Sequence, residues 1–241
     1  MFNEAIISGI TNHYPFGKGS YQIQKGSNRK IALNSQELKQ LFEYKSDPGD
    51  VTELYFDLWK LIYLLNGINI KDLVLLKKKN LDGEFVTFVR EKTKHTTKQQ
   101  TPIKIYLSDD ARQIIEKLKG NEDGYIVPLI SEKDTEKEIK HKVSNLGRAI
   151  NQALEKITKK SGVTKKVNCY TARHSWATQM MQHGAPVAFI GKQLGHVNST
   201  TTDVYLNSFD DAVIKQWQQK ITEFKNEGNK RNIRRRRVQK S

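Results

Sequence analysis

A single cysteine, Cys169, stands in the 241 residues, so no internal disulfide can form and a reducing cytoplasm is the expected compartment. Its neighbours Val167 and Ala172 favour a buried structural thiol over a reactive one. Long apolar runs are missing: nowhere do about 18 consecutive apolar residues occur, which argues against a membrane-spanning helix. Met1–Phe2–Asn3–Glu4 does not open a basic-then-apolar leader. Gly17–Lys18–Gly19 lacks both the preceding strand and the following Gly-Lys-Ser/Thr of a phosphate loop, so no nucleotide site is read there. No internal repeat is evident. Acidic residues are outnumbered, 26 Asp and Glu against 41 Lys and Arg, for a formal net charge of +15. Such an excess implies a polyanion-binding surface, and nucleic acid is the expected polyanion for a soluble chain.

What is present supports a folded protein. The hydrophobic fraction is 37%, with 9 Phe, 9 Tyr and 3 Trp, above the range of disordered chains. The positive charge is uneven. Residues 228–241 hold seven basic side chains (Lys230, Arg231, Arg234, Arg235, Arg236, Arg237 and Lys240) and no acid, which leaves +8 on residues 1–227. We read this end as a basic, disordered tail.

Residues 1–30 are rich in Gly, Asn and Ser, with Pro15 breaking any helix, and read as a linker. Ser35 is the expected N-cap of a first helix bearing Leu38, Leu41 and Phe42. A longer helix is predicted from about Thr52, with Leu54, Leu58, Leu61, Ile62 and Leu65 on one face, ending at Gly67. A short helix around Leu73–Leu76 follows. The period then changes to two: Phe85, Thr87 and Val89 alternate with Glu84, Val86 and Phe88, and Ile103, Ile105 and Leu107 repeat the pattern after Pro102. These two runs predict a β-sheet unit connected through 91–101. Ser108 is the expected cap of a helix with Ile114, Ile115 and Leu118. A long amphipathic helix carries Ile139, Val143, Leu146, Ile150, Leu154 and Ile157, with Lys140, Lys142 and Arg148 on its exposed side. Further helices are expected near 174–183, 186–194 (Pro186 in the first turn), 200–206 and 210–226. The pattern is that of a mostly helical α+β domain with one small antiparallel sheet.

The most informative stretch is Thr171–Ala172–Arg173–His174–Ser175–Trp176–Ala177–Thr178, followed by Leu194–Gly195–His196 and Thr201–Thr202–Asp203–Val204–Tyr205–Leu206. Arg173, His196 and Tyr205 are separated by 23 and then 9 residues. The three side chains suit attack on a phosphodiester. Arginine offers a fork of donors to phosphate oxygens, histidine donates to the same phosphate or shuttles a proton, and tyrosine serves as a covalent nucleophile once positive surroundings favour its ionised form.

Spacing and flanking residues together resemble the C-terminal box of the tyrosine recombinases, also called the phage integrase family. The resemblance covers about residues 35–226. It implies the fold of a DNA breaking-rejoining catalytic domain and a site-specific recombinase or integrase of a mobile element. Such enzymes cut one strand, leave a 3′-phosphotyrosyl link and a free 5′-hydroxyl, and rejoin by the reverse step. No metal, cofactor or small-molecule substrate is implied, since fixed side chains neutralise the charge of the transition state. The resemblance makes Tyr205 the nucleophile, Arg173 the second arginine of the phosphate clamp and His196 a donor to a non-bridging oxygen. His174 packs beside Arg173 or touches the phosphate. The family's general acid is a lysine on a β-hairpin turn, for which Lys92 in Arg90–Glu91–Lys92–Thr93 is the choice and Lys94 the competitor.

Two positions depart from the family pattern. Tyr170 stands where a histidine usually precedes the second arginine, and remains able to hydrogen-bond the phosphate. The run Gly67–Ile68–Asn69–Ile70–Lys71–Asp72–Leu73 puts Asn69 at the first arginine, with Lys71, Arg90 and His95 as candidate replacements for its charge. Relatives on mobile elements of gut bacteria have a similar pattern. The resemblance further implies an N-terminal core-binding domain for which this chain has no room, so 1–30 is expected to be its last remnant and linker, 31–227 the catalytic domain and 228–241 the tail. Double-stranded DNA is the implied partner, with a tetramer on paired sites, a monomer in solution and a bacterial, nucleoid-associated location. Two alternatives stay open: a non-catalytic DNA-binding regulator on the same fold, and a type IB topoisomerase-like relaxing enzyme.

Overall fold

The computed structural model of the protein describes residues 2–14, 31–46, 50–93, 102–195 and 211–224. The chain divides into two compact units, residues 1–30 and 31–241. The first contains a short helix, α1 (Phe2–Ile7), where the sequence suggests only linker.

The second unit is built around α3 (Thr52–Leu64), whose Phe56, Leu58, Trp59, Leu61, Ile62, Tyr63 and Leu64 are buried. Too many of its faces are apolar for a surface helix, and it lies at the centre of the core. Around it pack α2 (Ser35–Glu43), α5 (Asp109–Leu118), α6 (Glu136–Ser161) and α7 (Cys169–Gln182), with α4 (Ile70–Leu75) against α6. Polar edges of the core are closed by specific bonds: Trp59 Nε1 donates to Asn168 O at 3.0 Å, and Tyr63 Oη to Ile221 O at 2.9 Å. Complete burial pushes the Tyr63 hydroxyl far above its usual pKa, so it is a neutral donor. Cys169 is buried beside Asn151, and desolvation raises its thiol to about 11, an inert thiol at neutral pH.

The sheet has three antiparallel strands in the order β1 (Leu81–Asp82), β2 (Phe85–Phe88), β3 (Ile103–Tyr106). Val86 pairs with Ile105 and Phe88 with Ile103, so the four apolar side chains share the buried face. The alternation in the sequence predicts β2 and β3. Strand β1 is an addition, joined to β2 by a two-residue turn in which Gly83 adopts φ +53°.

Several helix starts differ from expectation for one reason, side-chain capping. Asn34, not Ser35, caps α2 in a capping box with Glu37. Helix α7 begins at Cys169, five residues earlier than expected, because Asn168 and Thr171 cap it reciprocally. Ser108 caps α5 as predicted. Pro186 occupies the N-cap of α8 (Val187–Gln193), just outside its first turn. The last helix, α9 (Asp211–Lys220), lays Ile214 into the core, and Ile221 and Phe224 follow it there. Phe224 meets Phe42 and Tyr63 edge to face at 5.2 and 6.4 Å. These three apolar side chains thus pack on their own domain. The predicted helix over 200–206 and the basic tail lie outside the described residues. Among the described residues no helix is long and apolar enough to cross a membrane.

Candidate active site

Arg173 sits in the second turn of α7, and its guanidinium reaches out to two backbone turns. Nη1 donates to Gly67 O at 2.8 Å, in the turn after α3, and Nη2 to Leu194 O at 2.6 Å, in the turn after α8. The first contact requires glycine at 67. The backbone there has φ +66°, and a Cβ would stand 2.6 Å from Arg173 Cα. Burial draws the Arg173 pKa down to about 10, helped by the neighbouring charge of Arg90 and opposed by Tyr170 and Asp72. It remains a cation at neutral pH, held in a poorly solvated place.

Arg90 follows strand β2. Its side chain is only 17% exposed, and Nη1 donates to Gly195 O at 2.9 Å, while Nε lies 3.7 Å from Asp72 Oδ2. Two guanidiniums therefore bind the successive carbonyls of Leu194 and Gly195. Gly195 has φ +64°, and a Cβ on it would meet Arg90 Cδ at 2.8 Å.

Asp72, on α4, has a buried carboxylate that accepts the Glu91 N–H at 2.9 Å and faces Arg90. Desolvation raises its pKa, the Glu91 amide and the Arg90 charge pull it down, and burial outweighs both. Through these contacts Asp72 ties α4 to the start of the 3₁₀ turn Glu91–Thr93, which carries Lys92. The Lys92 side chain is exposed. No motif in the sequence marks Asp72 for this role. The available signal was a charged residue followed at once by the apolar pair Leu73–Val74, both buried.

The remaining predicted residues divide clearly. Asn69 caps α4, its side-chain oxygen accepting the Lys71 N–H at 2.9 Å. Lys71 is half exposed and pairs with Glu91 at 3.9 Å. Tyr170 is 66% exposed in the first turn of α7, its ring 6.3 Å from that of His174. Tyr205, His196, Lys94 and His95 lie outside the described residues. The structure therefore brings Arg173, Arg90 and Asp72 together, with Tyr170 near enough to act on Arg173 electrostatically.

Beside this cluster runs α6. From residue 139 to 154 it contains no carboxylate, and Lys140, His141, Ser144, Asn145, Arg148, Asn151 and Gln152 are exposed. Lys142, expected on that surface, instead pairs with Asp134 at 2.7 Å. Ile70 of α4 touches Gly147 of α6, and Asn151 accepts the Cys169 N–H at 3.1 Å, so this helix abuts both α4 and the start of α7.

The family model described as "Phage integrase family" matches residues 32–211. The chain belongs to the phage integrase family. Among curated relatives, the tyrosine recombinase XerA of Thermococcus kodakarensis is 30% identical over 139 residues, 58% of this chain and 46% of the relative. XerC of Staphylococcus aureus is 27% identical over 143 residues, 58% of this chain and 44% of the relative. The matches thus span about half the length of these relatives. Among solved structures, the Tn1549 transposon integrase in complex with a circular intermediate DNA aligns with TM-score 0.57 and 18% identity, covering 90% of this chain and 75% of that one. A lambda integrase dimer bound to a COC′ core site aligns with TM-score 0.53 and 18% identity, covering 90% and 68%. At these identities the structural likeness establishes the fold, a mostly helical α+β domain with a small antiparallel sheet.

Proposed function

We propose that this chain is the strand-cleaving and strand-rejoining part of a site-specific DNA recombinase, working through a 3′-phosphotyrosyl intermediate. One observation carries the reading. Arg173 and Arg90 bind the Leu194–Gly195 turn, and the next residue in the chain is His196, with Tyr205 nine residues beyond. Two guanidiniums beside a histidine make a site for a phosphate that carries extra negative charge in its transition state.

In this reading the Tyr205 phenolate attacks the scissile phosphorus, the bond to the 5′-oxygen breaks, and Lys92 gives that oxygen its proton. Arg173, Arg90 and His196 neutralise the non-bridging oxygens, and Tyr170 donates a further hydrogen bond. Arg90 supplies the charge missing at Asn69. It is largely enclosed and braced by Asp72, whereas Lys71 is half exposed and paired with Glu91. Lys94, His95, Lys71 and His174 hold the DNA backbone around the scissile phosphate.

Duplex DNA as partner is supported by the net charge of +15, by the acid-free surface of α6 and by the DNA-bound state of the Tn1549 and lambda integrase structures. The active assembly is a tetramer on two DNA sites in the bacterial cytoplasm, formed from monomers when DNA is bound.

The test is covalent capture. Duplexes selected for binding from a random library are nicked near the selected site, so that a released fragment cannot religate, and incubated with the protein. The wild type should form a covalent adduct, and Tyr205→Phe none, with duplex affinity nearly unchanged. Adduct formation by the Phe variant would reject Tyr205 as nucleophile. Binding without any wild-type adduct would favour the non-catalytic regulator, a reading that the capping role of Asn69 favours. Relaxation of supercoils with no site preference would point to the topoisomerase-like alternative.

A further inference from the structure

The two turns that receive the Arg173 fork are joined a second time, beneath it. Asn66 immediately precedes Gly67, and Gln193 immediately precedes Leu194. Their side chains meet, Asn66 Nδ2 donating to Gln193 Oε1 at 2.9 Å, and Gln193 Nε2 continues to Lys104 O of β3 at 3.2 Å. Both residues are enclosed, Asn66 at 1% and Gln193 at 6% exposure.

This arrangement is expensive for mere stability. Asn66 adopts φ +58°, a left-handed conformation that glycine would reach without strain. Its Oδ1 is buried with no hydrogen-bond partner among the described residues, and an orphaned buried acceptor is destabilising. A glycine would make the turn, and an apolar side chain at 193 would fill the space. What neither would do is fix the separation of the two turns, since apolar contacts are non-directional whereas an amide pair has one geometry.

We propose that Asn66 and Gln193 are positioning residues for Arg173: a buried amide relay that sets the span between Gly67 O and Leu194 O, and so the orientation of the guanidinium that meets the scissile phosphate. The second hydrogen bond, to Lys104 O, extends the brace to the sheet, whose strand β2 leads into Arg90. The proposal rests on the reading of Arg173 as a phosphate ligand. The relay touches no DNA. It acts by holding an arginine that does, and a misplacement of a fraction of an ångström there slows the chemistry while leaving ground-state binding largely alone.

The experiment uses the full chain and the nicked duplexes described above, with single-turnover adduct formation, half-saturating duplex concentration and thermal midpoint as readouts. Gln193→Met keeps the length and removes both hydrogen bonds. Asn66→Gly keeps the left-handed backbone and removes the side chain. Each should slow adduct formation by about 10- to 100-fold, with half-saturation changed by less than about 3-fold. The double variant should be no slower than the worse single, because both break one link. On an Arg173→Lys background, Gln193→Met should slow the reaction no further. If Gln193→Met fails to fold, Asn66→Gly on both backgrounds decides by the same criteria. Unchanged rates in the folded variants, or equal slowing on the Arg173→Lys background, would overturn the relay. A wild type that forms no adduct would overturn it together with the recombinase reading, and that outcome is separable because it appears before any relay variant is made.

Discussion

An arginine withdrawn from water keeps its proton only where dipoles or counter-charges replace the lost solvation. Arg173 has two carbonyls for this purpose, and its pKa still falls to about 10, chiefly because burial strips it of solvent and further because Arg90 stands nearby with the same charge. Two like charges at close quarters are costly in the free protein, and on the proposed reading the doubly negative phosphorane of the transition state relieves that cost. The site is thereby biased toward a ligand with more negative charge than the ground state carries, which is the condition for catalysis rather than mere binding. Arg90→Gln tests this directly. We expect adduct formation to fall about 10²- to 10³-fold, the range for removal of one preorganised donor, with duplex affinity reduced only a few-fold. Single-turnover cleavage and a binding titration on the same duplex give both numbers. A rate within about 3-fold of wild type would show that the charge missing at Asn69 is supplied by another group.

At the scale of elements, the short helix α4 shows Asn69, which the resemblance aligns with the first arginine, serving as a helix cap. Asn69 closes the helix start by accepting the Lys71 N–H, and α4 in turn delivers Asp72 to Arg90 and to the Glu91 amide. Asn69→Ala should therefore cost about 1 kcal/mol of stability, seen in denaturant unfolding, and Asn69→Asp, which keeps the cap, should not. Cleavage by the Ala variant at a temperature where it is folded should stay within a few-fold of wild type. A drop of two orders of magnitude with an unchanged unfolding midpoint would instead make Asn69 a phosphate ligand. The same elements show what was legible in the chain. Runs with a clear period, such as Val86/Phe88 against Ile103/Ile105 or the stripe of α6, are visible because each side chain declares its face. Helix α7 carries the most telling motif yet has no such period: Thr171, Ser175 and Gln179 are buried with Ala172, Trp176 and Met180, so nothing apolar marks its start, and only the Asn168–Thr171 capping box does. Strand β1, two residues long, is too short to show alternation. The motif named Arg173 from sequence alone. Gly67 and Leu194 as its carbonyl partners, and Asp72 as the brace of Arg90, depend on chain segments more than 15 residues apart in sequence meeting in space.

For the molecule as a whole, charge and apolar surface are separately arranged. Three apolar residues at the described C-terminal end are buried within the domain, Ile214, Ile221 and Phe224, the last of them against Phe42 of α2 and Tyr63 of α3. The large apolar side chains left exposed among the described residues of 31–224 are few: Val51 and Leu54 at the start of α3, Tyr170 and Met181 on α7, and Val187 at the start of α8. Self-association without DNA thus has little hydrophobic drive, and light scattering should give a monomer mass; a stable tetramer before DNA is added would contradict this. The charge, by contrast, is held in two places that act differently. The acid-free side of α6 lies beside the Arg173 cluster, while seven further basic residues follow residue 228. Lysine and arginine contacts release counterions from the duplex, so the logarithm of the affinity should fall linearly with the logarithm of salt concentration, by about 0.9 per phosphate contacted. Removing residues 229–241 should lower that slope and weaken binding to all sequences alike, because a basic run recognises phosphates and no base edges. At saturating duplex, the rate of adduct formation should be unchanged, since none of the groups assigned to the chemistry is removed. Equal slopes for the full and shortened chains would place the salt-sensitive contacts on the folded domain, with α6 as the first surface to neutralise.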